Sequence, residues 1–184
     1  MAMKQTYDVV YEGGSDEIVE KKSRFIAHVF PVHSEQEAVE HIRKQYWDAR
    51  HNCHAFVIGP NDEISRCSDD GEPSGTAGRP ILEVLQGRGI HNALVIVTRY
   101  FGGTLLGTGG LVRAYSQATQ AGLAASRIMT RQSGRKLSIG TDYNGIGKMQ
   151  YIVGKRNIPV LDTRYAEAVE MDVLVPEGEC TSLQ

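Results

Sequence analysis

The sequence is poor in cysteine, in long apolar runs and in any excess of one charge. Only three cysteines occur, Cys53, Cys67 and Cys180. An odd number at wide spacing supports no disulfide framework and points to a reducing compartment. No stretch approaches the roughly 18 consecutive apolar residues of a membrane span. The start, Met1 to Asp8, is polar rather than a signal segment. The expected location is cytoplasmic, with no membrane partner. Lysine and arginine total 20 against 22 aspartate and glutamate, a formal net charge of -2. A global basic field is therefore absent, and any nucleic-acid role must rest on a local patch.

What is present is an ordinary core-forming composition, 41% hydrophobic over 184 residues. That is enough for one large or two small domains. Patterning predicts a buried strand over 19–32 and a helix over 35–46 with Ser34 as N-cap. Strands are expected at 54–59 and 63–68, then a loop forced by glycine and proline over 69–80. A short helix at 81–85 follows. The apolar run within 92–100 reads as a central strand buried on both faces, and 111–126 as an alanine-rich helix. The pattern breaks around 128–135, where a domain boundary is placed, giving domains 1–130 and 131–184. The tail reads β-α-β-β over 136–175. A split β-α-β module ordinarily continues with a further helix and strand, so the second domain is expected to be incomplete, with an open sheet edge. The fold class is α+β.

Two segments are denser in glycine, hydroxyl and charged residues than a turn requires: Cys67 to Pro80 and Val97 to Tyr115. The second reads strand, glycine-rich loop, helix, an order that presents backbone N–H groups to an anion. Gly102, Gly103, Gly107, Gly109 and Gly110 leave donors unobstructed. Thr108 is placed to cap the helix, and Arg99 and Arg113 to project toward the loop, where a guanidinium suits phosphate. Tyr100 and Phe101 are the stacking candidates. The loop lacks the Walker lysine and the Rossmann glycine spacing. The bland alternative is a tight connection whose glycines only permit close packing.

In the first segment Asp69, Asp70 and Glu72 offer carboxylates for a hard cation or for acid–base chemistry. The alternative is turn-forming acids neutralised by Arg79, Arg99 or Arg113. His51 and Cys53 share a strand face, too few ligands for zinc, and a Cys/His nucleophile pair there competes with a merely buried thiol. Tyr46 and Trp47 read as core or rim.

The residues S-D-D-G-E-P-x-G-T-A-G-x-P at Ser68–Pro80 and V-I-V-T-R-Y-F-G-G-T-L-L-G-T-G-G-L-V-R-A-Y at Val95–Tyr115 resemble the IMPACT family, in its bacterial two-domain, YigZ-like branch. Lys21 to Ile26 and Asp48 to Ala55 match as well. The resemblance implies an N-terminal domain like ribosomal protein S5 domain 2. It implies a C-terminal ferredoxin-like domain similar to the last domains of elongation factor G, with its final helix and strand missing. It implies no catalytic residue. Eukaryotic members resemble regulators of translation that bind the activator of a stress-responsive kinase. The shared surface maps onto Asp69, Asp70, Glu72, Thr76, Arg79, Arg99, Gly102, Gly103, Gly107, Thr108, Gly109, Gly110 and Arg113. The expected function is a non-enzymatic, translation-related RNA or ribosome-associated binder without cofactor or metal. Alternatives are an enzyme or binding protein for a small phosphorylated ligand, with Asp69 or Asp70 as base or metal ligand, and a protein–protein adaptor.

Overall fold

A computed structural model of the chain describes residues 6–44 and 46–182. The chain divides into two compact units, 1–131 and 132–184.

The first unit is built on a five-stranded antiparallel sheet. Its strands are β2 (Ser15–Glu20), β3 (Ser23–Pro31), β4 (His51–Ile58), β5 (Ile64–Ser68) and β7 (Ala93–Tyr100). Their order is β2-β3-β7-β4-β5. β7 holds the centre because Ala93 to Val97 is apolar on both faces. Odd-numbered residues of β3, β4 and β7 (Phe25, Ala27, Cys53, Ala55, Val95, Val97) face α2 (Gly78–Gly87) and α3 (Gly107–Ala124). Even-numbered residues (Phe56, Leu94, Ile96) pack against α1 (Glu35–Arg43). A smaller sheet, β6-β1-β8, joins β1 (Thr6–Glu12), β6 (Ile90–His91) and β8 (Arg127–Gln132).

The expected single strand over 19–32 is instead a hairpin. Glu20 pairs with Ser23, leaving Lys21 and Lys22 as a two-residue turn. Both take left-handed backbone, φ 45° and 67°, the signature of the tight turn usually made by Asn-Gly. Helix α1 starts as expected, with Ser34 Oγ accepting from the Glu37 amide, but it ends at Arg43 rather than at 46.

The second unit runs β9 (Gly134–Thr141), α4 (Ile146–Lys155), β10 (Val160–Tyr165), β11 (Val169–Pro176), then a 3-10 turn at Glu177–Ser182. The sheet order is β10-β11-β9, antiparallel throughout. α4 covers one face through Ile146, Met149 and Val153 against Met171, Val173 and Val175. The other face is polar. Asp172 lies buried there, with Ser138 Oγ at 2.6 Å, Lys136 Nζ at 2.8 Å and Arg164 Nη1 at 2.8 Å. No helix among the described residues is long and apolar enough to cross a membrane.

Candidate functional site

The two dense segments fold against each other around a buried pair. Glu72 Oε1 accepts from Arg99 Nη1 at 2.7 Å and from the Tyr115 hydroxyl at 2.8 Å. The side chains of Arg99 and Glu72 are only 7% and 3% exposed. The Arg99 guanidinium is held between the rings of Phe25 (5.5 Å) and Phe101 (5.6 Å). The expectation that Arg99 projects toward the loop for phosphate is therefore corrected. Strand parity sends residue 99 to the same inner face as Val95 and Val97, and there Glu72 neutralises it.

The carboxylates of the first segment are likewise engaged. Asp69 caps the N-terminus of α2 from outside the helix: Oδ1 accepts from the amides of Gly78 (2.8 Å) and Ala77 (3.1 Å), and Oδ2 from Gly75 (2.8 Å). Asp70 Oδ2 accepts from the Asn52 amide at 2.7 Å, and His51 Nδ1 donates to the Asp70 carbonyl at 2.8 Å. Thr76 is buried and donates to the Pro73 carbonyl at 2.6 Å. Arg79 points outward and pairs with Glu83 along α2. Among the described residues no group of three or more His, Cys, Asp or Glu is arranged to hold a metal.

Cys53 and His51 do share a strand face, but the thiol is enclosed. Its sulfur lies 2.9 Å from the Asp69 carbonyl and 3.3 Å from the Tyr115 hydroxyl. Burial pushes its pKa far up, against the smaller opposite effect of the Tyr115 hydrogen bond. Tyr115 is driven up in the same way, first by burial and then by Cys53 and Glu72. The cluster stays neutral at its thiol and phenol, so it braces the two segments and holds no activated nucleophile.

The glycine-rich segment has the opposite character. Phe101, Gly103, Thr104, Leu105, Gly107, Thr108 and Gly109 are exposed. α3 begins at Gly107, whose φ of +71° favours glycine. Its N-cap is Leu106, with no side-chain hydrogen bond, and its first turn holds no acid. Thr108 is inside the helix and does not cap it, contrary to expectation. Arg113 is exposed and folds back over the first turn, where a Cβ at Gly109 would lie 3.5 Å from its Nη1. Gly102 packs so closely on the Lys21–Lys22 turn that a Cβ would collide with the Lys22 carbonyl. Lys21, Leu106, Gly110, Arg113 and Gln117 thus line one small cavity of about 100 Å³, with Glu20 among its walls. Sequence reasoning missed the two lysines because it placed them inside a strand. Trp47, expected in the core or at its rim, is 94% exposed.

The Impact N-terminal domain family matches residues 21–123, and a domain of unknown function, DUF1949, matches residues 139–184. The chain is 44% identical over 180 residues to the IMPACT family member YvyE of Bacillus subtilis, covering 96% of this chain and 83% of that protein. It is 36% identical over 164 residues to the IMPACT family member YigZ of Escherichia coli, covering 86% of this chain and 80% of that one. A crystal structure described as that of a hypothetical protein superposes with a TM-score of 0.67 at 29% identity, over 98% of this chain and 90% of the other. The chain belongs to the IMPACT family, as a two-domain member of the bacterial kind that includes YvyE and YigZ.

Proposed function

We propose that this protein is a non-enzymatic, translation-related binder of RNA, or of a ribosome-associated complex, and that phosphate sits at the N-terminus of α3. One observation carries the reading: the start of α3 has no side-chain cap bond and no acid in its first turn, and two cations, Lys21 and Arg113, stand beside it. Four amides at such an end need acceptors, and the dipole there favours negative charge. α2 receives its acceptors from Asp69. α3 has no side-chain cap bond and no first-turn acid, while Arg113 and Lys21 outnumber Glu20 in the adjoining cavity. A phosphate supplies the missing acceptors and counter-charge.

Support for RNA over a small metabolite comes from the size of the cavity. About 100 Å³ is well below the roughly 300–1,000 Å³ of sites that enclose a small molecule, but it suits one phosphate of a chain running over the surface. The first unit, read as S5 domain 2-like, carries this seat. The open face of the second, read as ferredoxin-like, is a poorer one, since Asp162, Glu170 and Asp172 already surround Arg164. Fold likeness to translation factors adds an analogy only. An adaptor reading draws on Leu105, which is 81% exposed beside the loop.

RNA binding across a salt series tests the proposal. The wild-type chain should lose affinity steeply as salt rises. A Lys21→Ala/Lys22→Ala/Arg113→Ala variant should bind more weakly, with the log–log slope shallower by about one unit per lost phosphate contact. Salt-independent binding, or binding indifferent to the three substitutions, would overturn it.

A further inference from the structure

We infer that the segment around Trp47 is a base-stacking arm, so that the RNA held at α3 is single-stranded or carries an unpaired base there. The inference rests on the phosphate-seat reading above.

Helix α1 ends at Arg43, and the chain that follows is pinned at both sides of the tryptophan. Asn52 Nδ2 donates to the Tyr46 carbonyl at 2.9 Å, and the Tyr100 hydroxyl donates to Asp48 Oδ1 at 3.0 Å. Trp47 stands between these anchors with its indole 94% exposed. An indole in water on a braced segment loses hydrophobic stabilisation and gains nothing from the fold. Tyr100 is also the residue before Phe101, itself half exposed, where the glycine-rich loop begins. The Tyr100–Asp48 bond thus ties the tryptophan arm to the end of β7 from which the glycine-rich loop leaves, on the even-numbered face of the sheet.

The surroundings favour a nucleobase over a protein partner. Protein hot spots are contiguous apolar clusters inside a polar rim. Here flat rings alternate with cations. Arg43, Lys44 and Arg50 flank Trp47 in the chain, are exposed, and form no ion pair among the described residues. Arg24 lies over the Tyr100 ring at 5.7 Å, with its guanidinium paired to Glu17 at 2.7 Å, so the unpaired cations here are those beside Trp47. Rings for stacking, interleaved with cations that follow a phosphate backbone, are the chemistry of single-strand binding. Duplex RNA buries its base faces and would meet only the cations.

The chain contains one tryptophan, so its intrinsic indole fluorescence reports on this residue alone. Titration with a single-stranded oligouridylate and, separately, a blunt RNA duplex tests the inference. The single strand should quench the emission along the same isotherm as binding, and the duplex should not. Trp47→Ala should weaken single-strand binding about tenfold and leave duplex binding unchanged. Trp47→Phe should keep most of the single-strand affinity. Salt-sensitive single-strand binding with no quenching and no effect of Trp47→Ala would overturn the inference, leave the phosphate seat standing and assign the indole to a protein contact. Failure of both RNAs to bind would overturn the seat and the inference together.

Discussion

Glu72 and Arg99 meet at 2.7 Å inside the first unit, and their contact joins the acidic loop to the strand that leads into the glycine-rich turn. Removing one partner of such a pair typically costs about 3–5 kcal/mol, because the survivor's charge is left buried without its counter-ion. Glu72→Ala and Arg99→Ala should each lower the unfolding free energy by that order in urea denaturation. A loss below about 1 kcal/mol, the scale of an exposed pair, would contradict a buried brace.

Asp69 gives a prediction with a pH signature. Burial opposes its charge, but donation from the amides of Gly75, Gly78 and Ala77 outweighs burial and holds the carboxyl below its ordinary range. A depressed folded-state pKa contributes stability that is complete above the unfolded value, about 3.9, and is lost as pH falls through the lower folded value. Asp69→Asn should therefore be less stable than wild type at neutral pH, by about 1 kcal/mol as for a lost helix cap. The gap should close in acid. Urea midpoints at neutral pH and near pH 2 check this, and a gap of constant size would refute it.

The Lys21–Lys22 turn should show stability and binding moving in opposite directions. Left-handed backbone costs an ordinary residue roughly 1–2 kcal/mol, whereas Asn-Gly suits a turn with both φ values positive. Lys21→Asn/Lys22→Gly should raise the melting temperature and lower RNA affinity. A variant that gains stability and keeps full affinity would remove the lysines from the site.

The start of α3 offers the same kind of test. Thr108 is exposed in its first turn. Thr108→Glu supplies the missing acid and should stabilise the fold by about 0.3–1 kcal/mol while competing with phosphate. Unchanged RNA affinity in this variant would place the phosphate elsewhere.

These residues also mark where the sequence was legible. The continuous apolar run of β7 announced a strand buried on both faces, and the glycines and alanines after it announced loop and helix. That same run hid the direction of Arg99. With no alternation between polar and apolar residues, parity could be counted only once the neighbouring strands were in place. The hairpin was missed because two lysines carry no turn chemistry, so only the register Glu20–Ser23 exposes them. Tyr46 was placed on a helix face because α1 was read past Arg43 to residue 46, and Trp47, just beyond, carries no local signal that separates an exposed indole from one at the rim of the core. The acids at 69–72 were identified as a cluster, but only the folded loop shows that amides and Arg99 already use them.

The central position of β7 bears on the order of assembly. β3 and β4 lie on either side of it, and their partners in β7 are tens of residues further along the chain, as in Ala27 to Val97 and Cys53 to Val97. Pairings of such long sequence separation form slowly. During synthesis β3 and β4 therefore wait with unpaired edges until residue 100 is free to enter between them. The glycine-rich loop follows immediately, and Gly102 reaches the Lys22 turn only when β7 has docked beside β3. Lys21 and Arg113, more than ninety residues apart in the chain, come to share a cavity at that same moment. Lys21 and Arg113 adjoin only in molecules whose sheet has closed, so the RNA binding proposed for this surface would report completed folding of the first unit.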